Sequence, residues 1–209
     1  MFRHLPNIIT FSRIAVLIAL VWLVHQAWTG AATLAFFCIL YGAISDFVDG
    51  YIARKYDLVT DFGKIMDATV DKVMVLGAFV LILYLGLLEP TWAHAPLVAL
   101  IALRELGMTW MRAAAARKGV VLAAEKAGKR KTIWQTTAIC VLLAVPMFEG
   151  DVAAWTGWPM NWVGLFVHLN GYIYFYYAAF LTITSGALYV KKYGFLVFGR
   201  STHRGGASK

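Results

Sequence analysis

The chain reads as an all-α integral membrane protein, a bundle of six transmembrane helices with a polar cavity facing the cytoplasm. Three observations predict this. Of 209 residues, 61% are apolar and 14% charged, with a mean hydropathy of +0.69, whereas a soluble domain is about half apolar and about one quarter charged. Apolar runs of bilayer-crossing length recur six times. Lys and Arg are confined to alternate connections between those runs. The length suits one bundle, so residues 1–199 are read as a single membrane domain and 200–209 as a flexible cytoplasmic tail.

The first span covers 8–28 and carries Arg13 inside its apolar run. A cleaved signal peptide is the rival reading, with Arg3 ahead and small residues near Gly30. Removing the segment leaves an odd number of spans and breaks the charge alternation, so a retained span is expected. The second span, 32–54, is apolar as far as Ser45 and then presents Asp46 and Asp49. The third, 70–88, is preceded by Asp67 and has Asp71 in its first turn. Pro90 and Pro96 bracket the connection to the fourth, 95–117. The fifth covers 131–148, and the stretch from Glu149 to Pro159 connects it to the sixth, 165–190. Trp92, Trp155, Trp158 and Trp162 fall at span ends, as interfacial aromatics do. Cys38 and Cys140 sit alone in apolar runs, which suggests neither a disulfide framework nor a thiolate metal site, and both are read as packing residues. His25, His94 and His168 are scattered, and Tyr172–Tyr177 reads as packing or interface aromatics.

Orientation follows from charge. The connections near 28–32, 88–95 and 148–163 contain no Lys or Arg, while the opposite ends carry Arg3, Arg13, Arg54, Lys55, Lys64, the run from Arg117 to Lys131, Lys191, Lys192 and Arg204. Both termini are therefore expected at the cytoplasmic face of the inner membrane. The net charge of +8 is read as this bias plus attraction to anionic membrane lipid, with no nucleic-acid partner.

Chemistry concentrates in four aspartates, Asp46, Asp49, Asp67 and Asp71. On helices, residues three or four apart share a face, so each pair points one way. Four carboxylates converging beside lipid repel one another and lose hydration, which divalent cations offset. Hard oxygen donors suit Mg²⁺, Mn²⁺ or Ca²⁺ rather than zinc or copper. A solvated helix end is the bland alternative for either pair alone; Asp57 and Asp61 nearby are read that way.

Written out, the pattern is Asp46-x-x-Asp49-Gly50-x-x-Ala53-Arg54, eight residues, then Gly63-x-x-x-Asp67-x-x-x-Asp71. It resembles the signature of the CDP-alcohol phosphotransferases at all eight defining positions. That resemblance implies a six-helix membrane enzyme, working as a homodimer, that transfers a phosphate-linked group from a CDP-activated donor to an alcohol and releases CMP. It implies two Mg²⁺ or Mn²⁺ ions on Asp46, Asp49, Asp67 and Asp71, with Asp71 as the proton acceptor. It also implies that Asp49, Gly50, Ala53, Arg54 and Gly63 receive the nucleotide and phosphates of the donor. Small residues there admit a ligand close to the backbone, although each is also a common helix-packing residue.

Other stretches narrow the acceptor. Pro6-Asn7-x-x-Thr10-x-x-Arg13 is similar to the opening of bacterial phosphatidylglycerophosphate synthases and cardiolipin synthases within that family. Arg104-Glu105, Arg112, the run Gly128-Lys129-Arg130-Lys131-Thr132 and Gln135 resemble the former in particular. The implied donor is CDP-diacylglycerol and the implied acceptor sn-glycerol 3-phosphate, with Arg104, Arg112, Lys129 and Lys131 as the phosphate pocket. Arg104 and Arg112, two turns apart, are expected to face the interior together; Lys126 and Arg130 are read as topology charges. The second half of the motif departs from the usual Leu-Asp-Pro-x-Ala-Asp-Lys, reading Met66-Asp67-Ala68-Thr69-Val70-Asp71-Lys72. Rival readings are a family member with another acceptor (phosphatidylglycerol or inositol phosphate) and, from a different class, a divalent-cation transporter using the acidic cluster as a transit site.

Overall fold

The computed structural model describes residues 5–55, 61–117 and 126–198; within its helices the side chains of 5–11, 47, 49, 50, 52–54, 61–65, 126–129 and 195–198 lie outside the described residues. All regular structure among the described residues is helical. Six long helices, α1 (Leu5–Leu23), α2 (Ala31–Lys55), α3 (Asp61–Tyr84), α4 (Thr91–Arg117), α5 (Lys126–Pro146) and α7 (Asn161–Phe198), are joined by a π-helical turn (Met147–Val152) and the four-residue α6 (Ala153–Thr156) between the last two. Each expected span falls on one long helix. The expected tail at 200–209 lies outside the described residues.

Boundaries moved where polar residues continue a helix. α3 starts nine residues before its expected span, at Asp61, so that Asp67 and Asp71 lie one turn apart within a single helix. Ala68, at the position that is proline in the pattern this motif resembles, keeps the backbone N–H that an unbroken helix uses. α4 starts at Thr91, so Pro96 lies inside the helix rather than in the connection. So near the N-terminus a proline forfeits a single backbone bond. The expected long connection at 149–159 is mostly helical: the π turn and α6 carry the chain to Gly157, whose φ of 68° ends α6 in the left-handed region glycine tolerates.

Asp151 explains why that turn is ordered. It is buried, and its carboxylate accepts hydrogen bonds from the N–H groups of Gly30 (2.7 Å) and Thr33 (2.7 Å) at the start of α2. A helix N-terminus leaves N–H groups without intrahelical partners and favours negative charge. Asp151 supplies both needs from a distant part of the chain. A second tie lies at the same end: the Tyr172 hydroxyl accepts from the Glu89 N–H (2.8 Å) and donates to the Glu89 carbonyl (3.0 Å). The His94 ring bridges the Pro90 carbonyl (2.9 Å) and the Tyr176 hydroxyl (2.8 Å). A carbonyl only accepts, so Nδ1 carries the proton and Nε2 accepts from Tyr176.

The core runs along the middle of the bundle. Leu20, Ala78, Phe79, Ile82, Ile101, Ala138, Leu142 and Phe175 are fully buried, with Phe79 and Phe175 edge to face at 5.7 Å. α5 packs against α7 and α2, α1 against α2 and α3, and α4 against α7. Gly171 permits the α5–α7 approach: a Cβ there would stand 2.5 Å from Leu142 Cδ2. The outer surface is apolar as well. Ile18, Val80, Leu103, Phe166, Ile173 and Phe180 are each more than 60% exposed, far beyond what water-facing surfaces usually show in contiguous patches. Two stretches, Arg130–Thr156 and Asn161–Gly194, are long and apolar enough to cross a membrane, and Ser12–Leu23 and Ala31–Asp46 are shorter apolar helices. Trp92, Trp155, Trp158 and Trp162 are all exposed, at the end of the bundle that lacks Lys and Arg.

Candidate active site

At the opposite end, three helices bring their charged residues to one point. Arg13 of α1 is only 2% exposed, and its guanidinium reaches across to α2 and α3. Nη1 lies 2.8 Å from Asp46 Oδ1 and 3.2 Å from Asp67 Oδ1, and Nη2 lies 3.7 Å from Asp71 Oδ1. The arginine is sealed beneath while the carboxylates stay open, at 37%, 44% and 36% exposed. Local sequence accounts for the convergence. Asp67 and Asp71 sit one turn apart on a continuous helix, and α1, packed against both α2 and α3, sets Arg13 between the carboxylates of the two. Below the carboxylates is a cavity of about 40 Å³, bordered by Arg13, Gly42, Asp46, Asp71, Thr136 and Ile139.

Asp49 lies one turn after Asp46 on α2, and Gly50, Ala53, Arg54 and Gly63 lie on α2 and α3; their side-chain positions fall outside the described residues, as does that of Lys129. As placed, no three His, Cys, Asp or Glu side chains among the described residues are arranged to hold one metal ion. The donor set nevertheless fits a hard divalent cation. Three carboxylates from two helices turn their oxygens toward one positive centre, and a guanidinium stands at that focus.

The expected acceptor pocket separates into two parts. Arg104 and Lys131 meet in a buried network with Glu105 at its centre: Arg104 Nη1 donates to Glu105 Oε1 (3.0 Å), and Lys131 Nζ donates to the same oxygen. Lys131 also donates to Gln135 Oε1 (3.2 Å), Gln135 Nε2 donates to Thr182 Oγ1 (3.0 Å), and Arg104 Nη2 donates to Ser185 Oγ (3.0 Å). The network thus ties α4, α5 and α7 together. Two cations share one carboxylate, which leaves one positive charge over. Thr136, next to Gln135 on α5, borders the cavity at Asp46 and Asp71, so the network adjoins the carboxylate site.

Arg112 does not join it. The expectation that Arg104 and Arg112 face the interior together is corrected: Arg112 is exposed, with its guanidinium over the Tyr189 ring at 5.8 Å. Eight residues turn a helix about 80° past two full turns, enough to take it off the inner face. Arg130, read as a topology charge, is exposed. Sequence reasoning gave no site role to Arg13, Glu105, Gln135, Thr182 or Ser185. The available signal was a charged residue within an apolar run, rare unless it pairs inside the bundle.

Residues 3–170 match the family model for CDP-alcohol phosphatidyltransferase. The chain belongs to that family. Among curated proteins it is similar to a CDP-diacylglycerol–glycerol-3-phosphate 3-phosphatidyltransferase of Rickettsia typhi, 31% identical over 189 residues that cover 90% of this chain and 96% of the relative. The Bacillus subtilis protein of the same name is 33% identical over 193 residues, 78% of this chain and 97% of the relative. A rice cardiolipin synthase (CMP-forming) is 36% identical over 152 residues, 67% of this chain and 45% of the relative. The eight family-motif positions all fall on α2 and α3, the helices that carry the converging carboxylates.

Proposed function

We propose that this chain is a six-span enzyme of the cytoplasmic membrane, both termini inside, that transfers the phosphatidyl group of CDP-diacylglycerol to sn-glycerol 3-phosphate, giving phosphatidylglycerol phosphate and CMP. The observation that carries this reading is the convergence of Asp46, Asp67 and Asp71 on one cationic centre, at the end of the bundle where the basic connections gather. Support for the acceptor comes from relatives named for glycerol 3-phosphate. The apolar exterior supports burial in lipid. The homodimer implied by the family resemblance belongs to the same reading.

In the reaction, the acceptor hydroxyl oxygen bonds to the phosphorus on the diacylglycerol side, the bond from that phosphorus to CMP breaks, and CMP leaves with the bonding pair. Asp71 takes the hydroxyl proton. Asp46, Asp49, Asp67 and Asp71 would hold two Mg²⁺ or Mn²⁺ ions, whose Lewis acidity offsets pyrophosphate charge. Asp49, Gly50, Ala53, Arg54 and Gly63, the motif positions on α2 and α3, would receive the nucleotide and phosphates of the donor. Lys131 and Arg104, with Lys129, attract the acceptor phosphate through the positive charge that Glu105 leaves over. Arg112, being exposed, attracts anions from outside the pocket.

The test is transfer by purified protein in lipid nanodiscs with Mg²⁺ and CDP-diacylglycerol. Glycerol 3-phosphate should release CMP and yield a phosphorylated glycerolipid. Equal or greater turnover with phosphatidylglycerol would favour the cardiolipin synthase reading that the rice relative suggests; turnover with inositol phosphate would favour the third acceptor.

A further inference from the structure

We infer that Arg13 is a built-in counter-cation that holds the carboxylates together before a divalent cation arrives and competes with that cation for them. The inference rests on the reading of Asp46, Asp67 and Asp71 as metal ligands and adds a residue from a helix outside the family motif. The geometry is specific. A surface arginine pairs with one carboxylate at little gain; Arg13 is 2% exposed and lies within 3.7 Å of three carboxylates on two other helices. Without it, three like charges on facing helix ends would repel and part. With it, one of these three charges is cancelled and two remain.

The same contact opposes loading. A cation entering among the carboxylates meets a guanidinium within 3.7 Å of their oxygens, and like charges at such distances repel. The cavity of about 40 Å³ beside Arg13, Asp46 and Asp71 gives one of the two cations room to sit while the other shifts. Arg13 is therefore a positioning residue that trades affinity for readiness. It keeps the site assembled when empty and keeps metal binding loose enough to reverse.

The experiment compares the full chain with Arg13→Gln and Arg13→Lys, purified in detergent. Mn²⁺ binding is followed by the electron paramagnetic resonance signal of free Mn²⁺, and thermal unfolding is followed in chelator and in excess Mn²⁺. Arg13→Gln should bind Mn²⁺ at least about tenfold more tightly, because a repelling charge is gone. It should also melt lower than wild type in chelator and regain most of that loss in Mn²⁺; Arg13→Lys, with its charge retained, should stay near wild type in both. Unchanged or weaker Mn²⁺ binding by Arg13→Gln, while wild type binds, overturns the role given to Arg13 and leaves the metal reading standing. Absence of Mn²⁺ binding by wild type and variant alike overturns the metal reading and this inference together, while the CMP-release assay judges the enzyme reading separately.

Discussion

Asp71 and Lys131 show how much one side chain is asked to do. Asp71 is the proposed proton acceptor, half open beside a buried arginine. Asp71→Asn keeps its size and removes its basicity, so turnover should fall at least about a hundredfold, with the protein still folded by circular dichroism. Near-normal CMP release from that variant would take Asp71 out of the chemistry. Lys131 carries both structure and the proposed acceptor contact. Lys131→Met leaves Glu105 paired with Arg104 alone, charge for charge, so the loss should be confined to the hydrogen bonds to Glu105 and Gln135, about 1–3 kcal/mol of stability. If Lys131 also binds the acceptor phosphate, the folded variant should show a raised KM for glycerol 3-phosphate. An unchanged KM would make the lysine purely structural.

At the scale of elements, the sequence was most legible where hydropathy and helical period agreed. The six long helices each fall where an apolar run stood, and the motif residues Asp46 and Asp67–Asp71 sit on α2 and α3 as their three- and four-residue spacing requires. What stayed hidden depends on partners far away in the chain. Nothing near Glu149-Gly150-Asp151 announces a helix, because the stabilising bonds run to Gly30 and Thr33, over a hundred residues earlier. Arg13 looked like a topology charge because only the fold brings three carboxylates to it. Arg112 was misplaced by treating eight residues as two whole turns. The Asp151 tie predicts its own test: Asp151→Ala should cost about 1–2 kcal/mol, the range measured for lost helix caps, read as a lowered midpoint of thermal unfolding with CMP release at moderate temperature little changed. An unaltered midpoint would mean that water caps α2 equally well.

For the whole molecule, the apolar outer surface and the two ends of opposite character set the expected surroundings. One end carries exposed tryptophans and no Lys or Arg; the other carries the basic residues and the carboxylates. The proposed bilayer placement predicts that alkaline carbonate leaves the expressed chain in the membrane pellet, since burial of its exposed apolar surface far outweighs surface charge contacts. Release into the supernatant would contradict six spans. α7, at 38 residues, is about 57 Å long, well beyond the roughly 30 Å of hydrocarbon a span needs, so the proposed placement would carry its end past the apolar zone and take Lys191 and Lys192 toward the headgroups.

Arg13 precedes Leu20 by about two turns of α1, and Leu20, Phe79, Ile82 and Leu142 belong to one fully buried layer of the core. On the proposed reading, that layer is a watertight floor. Substrates enter and products leave through the same mouth, so headgroup synthesis proceeds without a leak of ions or protons, and each new lipid is delivered to the leaflet from which its precursor came.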